Sequence, residues 1–296
     1  MIRSEEKFPM SRKLLSVTGF MLLFGLLMVP FWGGSAQQAQ AQVSLAPTSL
    51  FIFETGGIGE LFVSNRSQIP QEVNVRFEFQ FPTSDAEGNI RMTEGDEAIA
   101  AEWGLGEMVR VFPRRLVLQP GETQTLRVQV RPMRDRPDGM FFTRAIVSSN
   151  ALQQDVGQQE AAEGIRTQIN YILEQSIPVF YRRGSNTTGV DVERIEASRA
   201  EQGLNLLVHL QRTGNSPFMG TMGAQLFDMN GNQLAESSSS AFLYFDERRR
   251  MTLRHEDLPP GRYRVELWFE TQRRDMASGN IVQAPRITHS TIVELP

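Results

Sequence analysis

Residues 165–183 read IRTQINYILEQSIPVFYRR, and this stretch limits what the rest of the chain can become. Ile165, Thr167, Ile169, Tyr171, Leu173, Gln175, Ile177, Val179 and Tyr181 fall on one side of a two-residue period. Arg166, Gln168, Asn170, Glu174, Ser176 and Arg182 fall on the other. Successive side chains on a pleated strand point to opposite faces, so the pattern predicts a β-strand with one apolar face. At about 3.3 Å per residue the run would extend roughly 55 Å, about three times an ordinary strand. A single small sandwich cannot cover an edge of that length. Either the strand continues past its own core as an amphipathic linker or into a second sheet, or part of its apolar row is kept for another chain. The sharper expectation is that the first half, Thr167 to Leu173, pairs with a partner by strand addition.

The flanking sequence has the same period. Short alternating runs at 45–53, 60–64, 72–81, 111–130 and 140–148 precede the long strand, separated by turn residues such as Gln119-Pro120-Gly121-Glu122 and Asp138-Gly139. Residues 83–106 are polar and glycine-containing, and predict a loop with one helical turn near 97–103. Residues 150–164 predict a mobile loop that delivers the chain to the long strand. After Gly184-Ser-Asn-Thr-Thr-Gly189, a linker by composition, further strands are predicted at 190–197, 204–212, 220–228, 241–245, 249–253, 262–269 and 287–295. Asn230-Gly231 marks a hairpin, and Pro259-Pro260-Gly261 turns the chain into the sixth of these. The fold class expected is all-β, with two immunoglobulin-like β-sandwich domains in series at 42–184 and 185–296.

Ahead of them, residues 1–41 read as an export signal. Arg12 and Lys13 precede an apolar run over 14–32, and Ala39-Gln40-Ala41 supplies small residues for cleavage after Ala41. An uncleaved anchor is the alternative, because the run approaches spanning length. No later segment is comparably apolar, so no membrane span is expected in the mature chain.

Charge and residue usage narrow the function. Removing Arg3, Lys7, Arg12, Lys13, Glu5 and Glu6 from 30 basic and 34 acidic residues leaves 26 and 32, a net charge of −6, which argues against a nucleic-acid surface. Both lysines, Lys7 and Lys13, lie in the leader, so every later cation of this kind is an arginine. There is no cysteine, so neither disulfides nor thiolate chemistry is available, and stability must come from buried cores.

The chain offers little that could perform catalysis. His209, His255 and His289 sit on separate predicted strands or turns and lack metal-pair spacing; each is better read as a surface or satisfied histidine. Gly57-Ile-Gly59 and Gly104-Leu-Gly106 lack the strand-to-helix setting of a phosphate loop. Asp85 with Glu87, and Asp96 with Glu97, do not fit a calcium-loop pattern. Asn65-Arg-Ser67 and Asn186-Thr-Thr188 match the glycosylation triplet, a weak signal by chance frequency. No catalytic residue, cofactor or metal is expected, which favours a binding protein.

Four stretches carry a resemblance: Val43-Ser-Leu-Ala-Pro-Thr48, residues 112–128 (FPRRLVLQPGETQTLRV), Asp138-Gly-Met-Phe-Phe-Thr-Arg-Ala145, and Ile177-Pro-Val-Phe-Tyr-Arg182. In this order they resemble the first domain of the periplasmic pilus chaperones, the PapD-like family. The resemblance covers residues 43–183; the second domain matches only in size and strand content. It implies a periplasmic, non-enzymatic chaperone that caps pilus or fimbrial subunits with its long strand and hands them to an outer-membrane usher. The subunit-binding row would be Thr167, Ile169, Tyr171 and Leu173. The family holds the subunit's terminal carboxylate with an arginine on the first strand and a lysine on the long one. Those places hold Ser49 and Pro178 here, and Arg182 and Arg183 are the expected substitutes.

Two rivals remain at this point. An immunoglobulin-like component of a surface or adhesion assembly would use the strand permanently. A carbohydrate-binding or hydrolytic sandwich would need exposed aromatics or paired carboxylates in one cleft, and Trp103 and Trp268 are far apart in sequence.

Overall fold

In the computed structural model of the protein the described residues are 42–152 and 171–295. The expected leader and cleavage point, most of the loop at 150–164, and Thr167 and Ile169 lie outside them. In chain order the first half gives β1 (Val43–Ala46), β2 (Leu50–Phe53), β3 (Ile58–Asn65), β4 (Gln71–Glu78), β5 (Gln80–Ser84), β6 (Ile90–Glu94), α1 (Glu97–Trp103), β7 (Val109–Phe112), β8 (Arg115–Leu118), β9 (Thr123–Val130), β10 (Gly139–Ala151) and β11 (Ile172–Arg183). The second half gives β12 (Thr188–Ala200), β13 (Gly203–Gly214), β14 (Phe218–Phe227), β15 (Gln233–Leu243), β16 (Glu247–Leu253), β17 (Gly261–Glu270) and β18 (Ile287–Leu295).

The first sandwich packs the sheet β1-β3-β9-β7 against the sheet β2-β11-β10-β4-β8. Alternation along the strands decides what is inside: Val73 and Val75 on β4, Leu126, Val128 and Val130 on β9, and Ile177, Val179 and Tyr181 on β11 meet in one core. The first predicted strand is in fact two. Pro47 interrupts it, and the chain crosses there from one sheet to the other, β1 pairing with β3 and β2 with β11. Pro113 divides the predicted run at 111–130 in the same way, placing β7 and β8 in opposite sheets.

Part of the polar stretch after β4, expected as a loop, is a hairpin. β5 and β6 pair around a turn in which the Asp85 carboxylate accepts from the backbone N–H of Glu87 (3.0 Å) and of Asn89 (2.8 Å). The same turn closes β14 onto β15, where the Asp228 carboxylate accepts from Asn230 (2.9 Å) and Asn232 (2.8 Å). Gly88 and Gly231 hold equivalent places at φ 78° and 91°, a conformation in which a Cβ is unfavourable. Helix α1 begins where expected, with Asp96 accepting from the Ile99 N–H at 2.8 Å as N-cap.

The second sandwich packs β12-β13-β16 against β15-β14-β17-β18 around Leu204, Leu206, Val208, Leu226, Val265, Leu267 and Phe269. Most of its strands run longer than predicted, and the serine tract Ser237–Ser240, read from the sequence as low complexity, lies inside β15.

The connection between the sandwiches is held rather than loose. Ser185 N–H donates to Asp138 (2.9 Å) and Thr187 N–H to Asn215 (2.8 Å), while the Asn215 amide donates to the carbonyls of Asp138 (3.1 Å) and Ser185 (2.9 Å). A third apolar cluster joins the outer face of β10 and β11 (Met140, Phe142, Phe180) to Met219, Tyr244, Ile281 and Val282. Phe142 meets Tyr244 edge-on at 4.6 Å between ring centroids. Burial there pushes the Tyr244 phenol well above its usual range, despite the nearby guanidiniums of Arg144 and Arg273.

Candidate strand-donor site

Strand β11 is paired on one side along its whole length, with β10, from Ile172 opposite Asn150 to Arg183 opposite Gly139. On its other side it meets β2 only from Val179 opposite Leu50 to Arg182 opposite Phe53. Among the described residues, no strand covers that second edge over 172–178. One side chain reaches across: Gln175 Nε2 donates to the carbonyl of Val43 at 2.9 Å.

The apolar row of the strand runs out of the core at this open edge. Ile177, Val179 and Tyr181 are buried, Gln175 is half-buried, Leu173 is 39% exposed and Tyr171 is 76% exposed. Ile172, on the alternate face, is 69% exposed. Large apolar side chains standing beside unpaired main-chain N–H and C=O groups make a template for another strand. Each would contribute about 1.5–3 kcal/mol on full burial.

Polar contacts on the outer face keep this segment in place. Arg76 on β4 reaches over β10 to grip Glu174 with two hydrogen bonds, 2.7 and 3.1 Å, and also holds Glu78 at 2.6 Å. The hydrogen bonds from Arg76 lower the Glu174 carboxyl below its ordinary value. Arg144 on β10 donates to the Ser176 hydroxyl (2.5 Å) and carbonyl (3.1 Å).

The structure brings Ser49 and Pro178 together. Ser49 stands one residue before the first parallel pair, Leu50 with Val179, and Pro178 one residue before its partner, so the two mark one level of the sheet with no charge on either. The expected substitutes have other partners. Arg183 pairs with Asp138 (2.9 Å) and Glu54 (3.5 Å); Arg182 donates to Asn186 (3.0 Å) and the carbonyl of Gly279 (3.2 Å), and lies over the Phe53 ring at 5.4 Å. Another cation, which sequence spacing did not single out, stands at the same level of the sheet. Arg144 is the register partner of Pro178, and no carboxylate lies within ion-pair distance of it among the described residues. It continues the outward row of Met140 and Phe142, and burial lowers its guanidinium below the ordinary value. The signal was the alternation of β10 itself, which sets an arginine in an apolar row.

The remaining candidates have structural places. His209 contacts Glu196 (2.9 Å) and Arg194 (3.3 Å), and His255 accepts from the Asp257 N–H (3.3 Å). Asn65 is buried, its amide donating to the carbonyls of Ile69 (2.8 Å) and Leu118 (3.0 Å), which leaves no room for a glycan there. Among the described residues no group of three or more metal-ligating side chains is assembled, and no helix is long and apolar enough to cross a membrane.

No family model and no curated protein matches the chain. Solved structures do. A chain of a chaperone–tip adhesin complex of CFA/I fimbriae biogenesis is 11% identical over 84% of this chain and 98% of its own, with a TM-score of 0.43. Fimbrial chaperones, alone or in complexes with their subunits, are among these neighbours. The CsuC–CsuE chaperone–tip subunit complex of Acinetobacter baumannii matches at 12% identity over 86% of this chain and 98% of that one, TM-score 0.39. The Salmonella enterica SafA pilin–SafB chaperone complex matches at 13% over 84% and 96%, TM-score 0.39.

Proposed function

We propose that the protein is a periplasmic chaperone that caps an exported pilus-type subunit by lending it the open edge of β11. The observation that carries this is the one-sided pairing of residues 172–178 beside exposed Tyr171, Ile172 and Leu173. A subunit strand laid on that edge would complete its main-chain hydrogen bonds and bury the row that leaves the core at Ile177. Thr167 and Ile169 would extend the same row. The class of client and the hand-over to an outer-membrane usher come from the sequence resemblance. Arg144, beside Pro178 and without a carboxylate partner, would receive the subunit's terminal carboxylate as a charge-assisted, two-pronged contact.

The test is copurification followed by displacement. The chain isolated from a periplasmic extract should carry a subunit-type protein, and an added second subunit, or a peptide copying its terminal strand, should release it. A partner that stays bound under that challenge would indicate instead a permanent component of a surface assembly.

A further inference from the structure

The outer face of the second sandwich carries a cleft separate from the open edge of β11. It has a volume of about 670 Å³ and crosses β17, β14 and β15, with residues 272–275 as a wall. Gly223 sets its floor: a Cβ there would stand 2.0 Å from the indole of Trp268, so the absent side chain lets that ring lie across β14 with Nε1 above the glycine. Thr221 donates to the Gln272 carbonyl at 2.8 Å and ties the wall to the sheet.

Arg273 is built into this wall. Its side chain is only 8% exposed and lies over the Phe242 ring at 4.3 Å; Nε and Nη2 hold Asp275 at 2.8 and 2.5 Å, and Nη1 is buried without a hydrogen-bond partner, so Arg273 shapes the wall and leaves ligand contact to its neighbour Arg274. Around it the hydrogen-bonding groups are uncommitted. The hydroxyls of Ser238 and Ser240, Trp268 Nε1 and the side chains of Gln272 and Arg274 form no hydrogen bond or ion pair among the described residues. Asp275 is neutralised by Arg273, and Glu270 by Arg286 at 2.6 Å, so Arg274 leaves the cleft cationic.

We propose that this cleft binds an acidic saccharide, with the sugar carboxylate at Arg274 and ring hydroxyls at Ser238, Ser240, Gln272 and the indole N–H. The volume lies in the range of small-molecule sites and is too large for an inorganic anion alone. The lining has no aliphatic side chain, so a peptide finds no pocket for apolar residues. The cleft also crosses the strands instead of following the β15 edge, which disfavours strand addition. A row of hydroxyl, amide and guanidinium groups suits a ligand rich in hydroxyls with one negative charge.

Calorimetric titration of the purified chain with trigalacturonic acid, and with the neutral galactotriose, tests this. The acidic trimer should bind, with the neutral one at least about tenfold weaker. Arg274→Gln and Ser238→Asp, both at exposed positions, should each weaken the acidic trimer about tenfold, the scale of one lost charge-assisted contact, with an unchanged melting midpoint. Absence of binding, equal binding of both trimers, or an affinity that neither substitution alters would each overturn the assignment.

Discussion

Arg76 and Glu174 are joined across the width of β10 by a two-pronged ion pair of 2.7 and 3.1 Å, so the first turn-free residues of β11 are tied to a strand that is not their neighbour. The pair is exposed, and its contribution to global stability is at most about 1 kcal/mol. Its local effect is larger in consequence, because, among the described residues, 172–178 have β10 alone for main-chain pairing. Glu174 has a lowered carboxyl value when folded, so its stabilisation is full above the unfolded value and is lost as pH falls through the folded one. Arg76→Ala should leave the melting midpoint within a few degrees but speed amide exchange of the segment 172–176, checked by hydrogen-exchange mass spectrometry. Unchanged protection would show that the pair does not hold the strand.

A binding assay would separate the proposed role of Arg144 from that of Arg182 and Arg183. Arg144→Gln should weaken capture of a subunit by about tenfold to a hundredfold, the scale of a charge-assisted contact in a partly buried setting, with little change in stability. Substituting Arg182 and Arg183 together by alanine removes the contacts to Asp138, Glu54 and Asn186 and should lower the melting midpoint, leaving the affinity of the folded fraction unchanged. Affinity measured on both variants decides which cation faces the client.

Glu247 gives the second sandwich a pH dependence of its own. It is buried beside Arg249, and desolvation, partly opposed by that guanidinium, pushes its carboxyl up to about 7. An acid whose value is raised on folding binds its proton more tightly in the folded state. The protein should therefore lose stability as pH rises from about 4.5 to about 7 and level off above. Thermal melts between pH 4.5 and 8 should show this decline, and Glu247→Gln should flatten it; a slope retained in that variant would place its origin elsewhere.

Much of the architecture was legible in the sequence because a two-residue period and turn residues encode strands directly. The helical turn at 97–103 and the last strand at 287–295 were found at their observed limits. Two of the failures share a cause: prolines that divide a run between sheets leave the alternation intact on both sides. The sequence around Pro47 and Pro113 reads as continuous strand, although each marks a crossover. The hairpin at Asp85 was missed although its spacing repeats that of Asp228 to Asn232, since its strand β6 is exposed and carries little apolar signal. At the candidate site, the apolar row of the long strand was readable. The partners of Arg182 and Arg183 were not, because Asp138 and Glu54 come from distant parts of the chain. Arg144 is an isolated charge in a strand, and only the register opposite Pro178 gives it meaning.

The most direct measurement is client capture by a Tyr171→Asp, Leu173→Asp variant. Both side chains lie outside the core, so the variant should melt with the wild type, and it should retain no subunit, because charge has replaced the row that a foreign sheet would bury. A variant that holds its subunit as tightly as the wild type, or that no longer folds, would contradict the assignment of this edge to a partner.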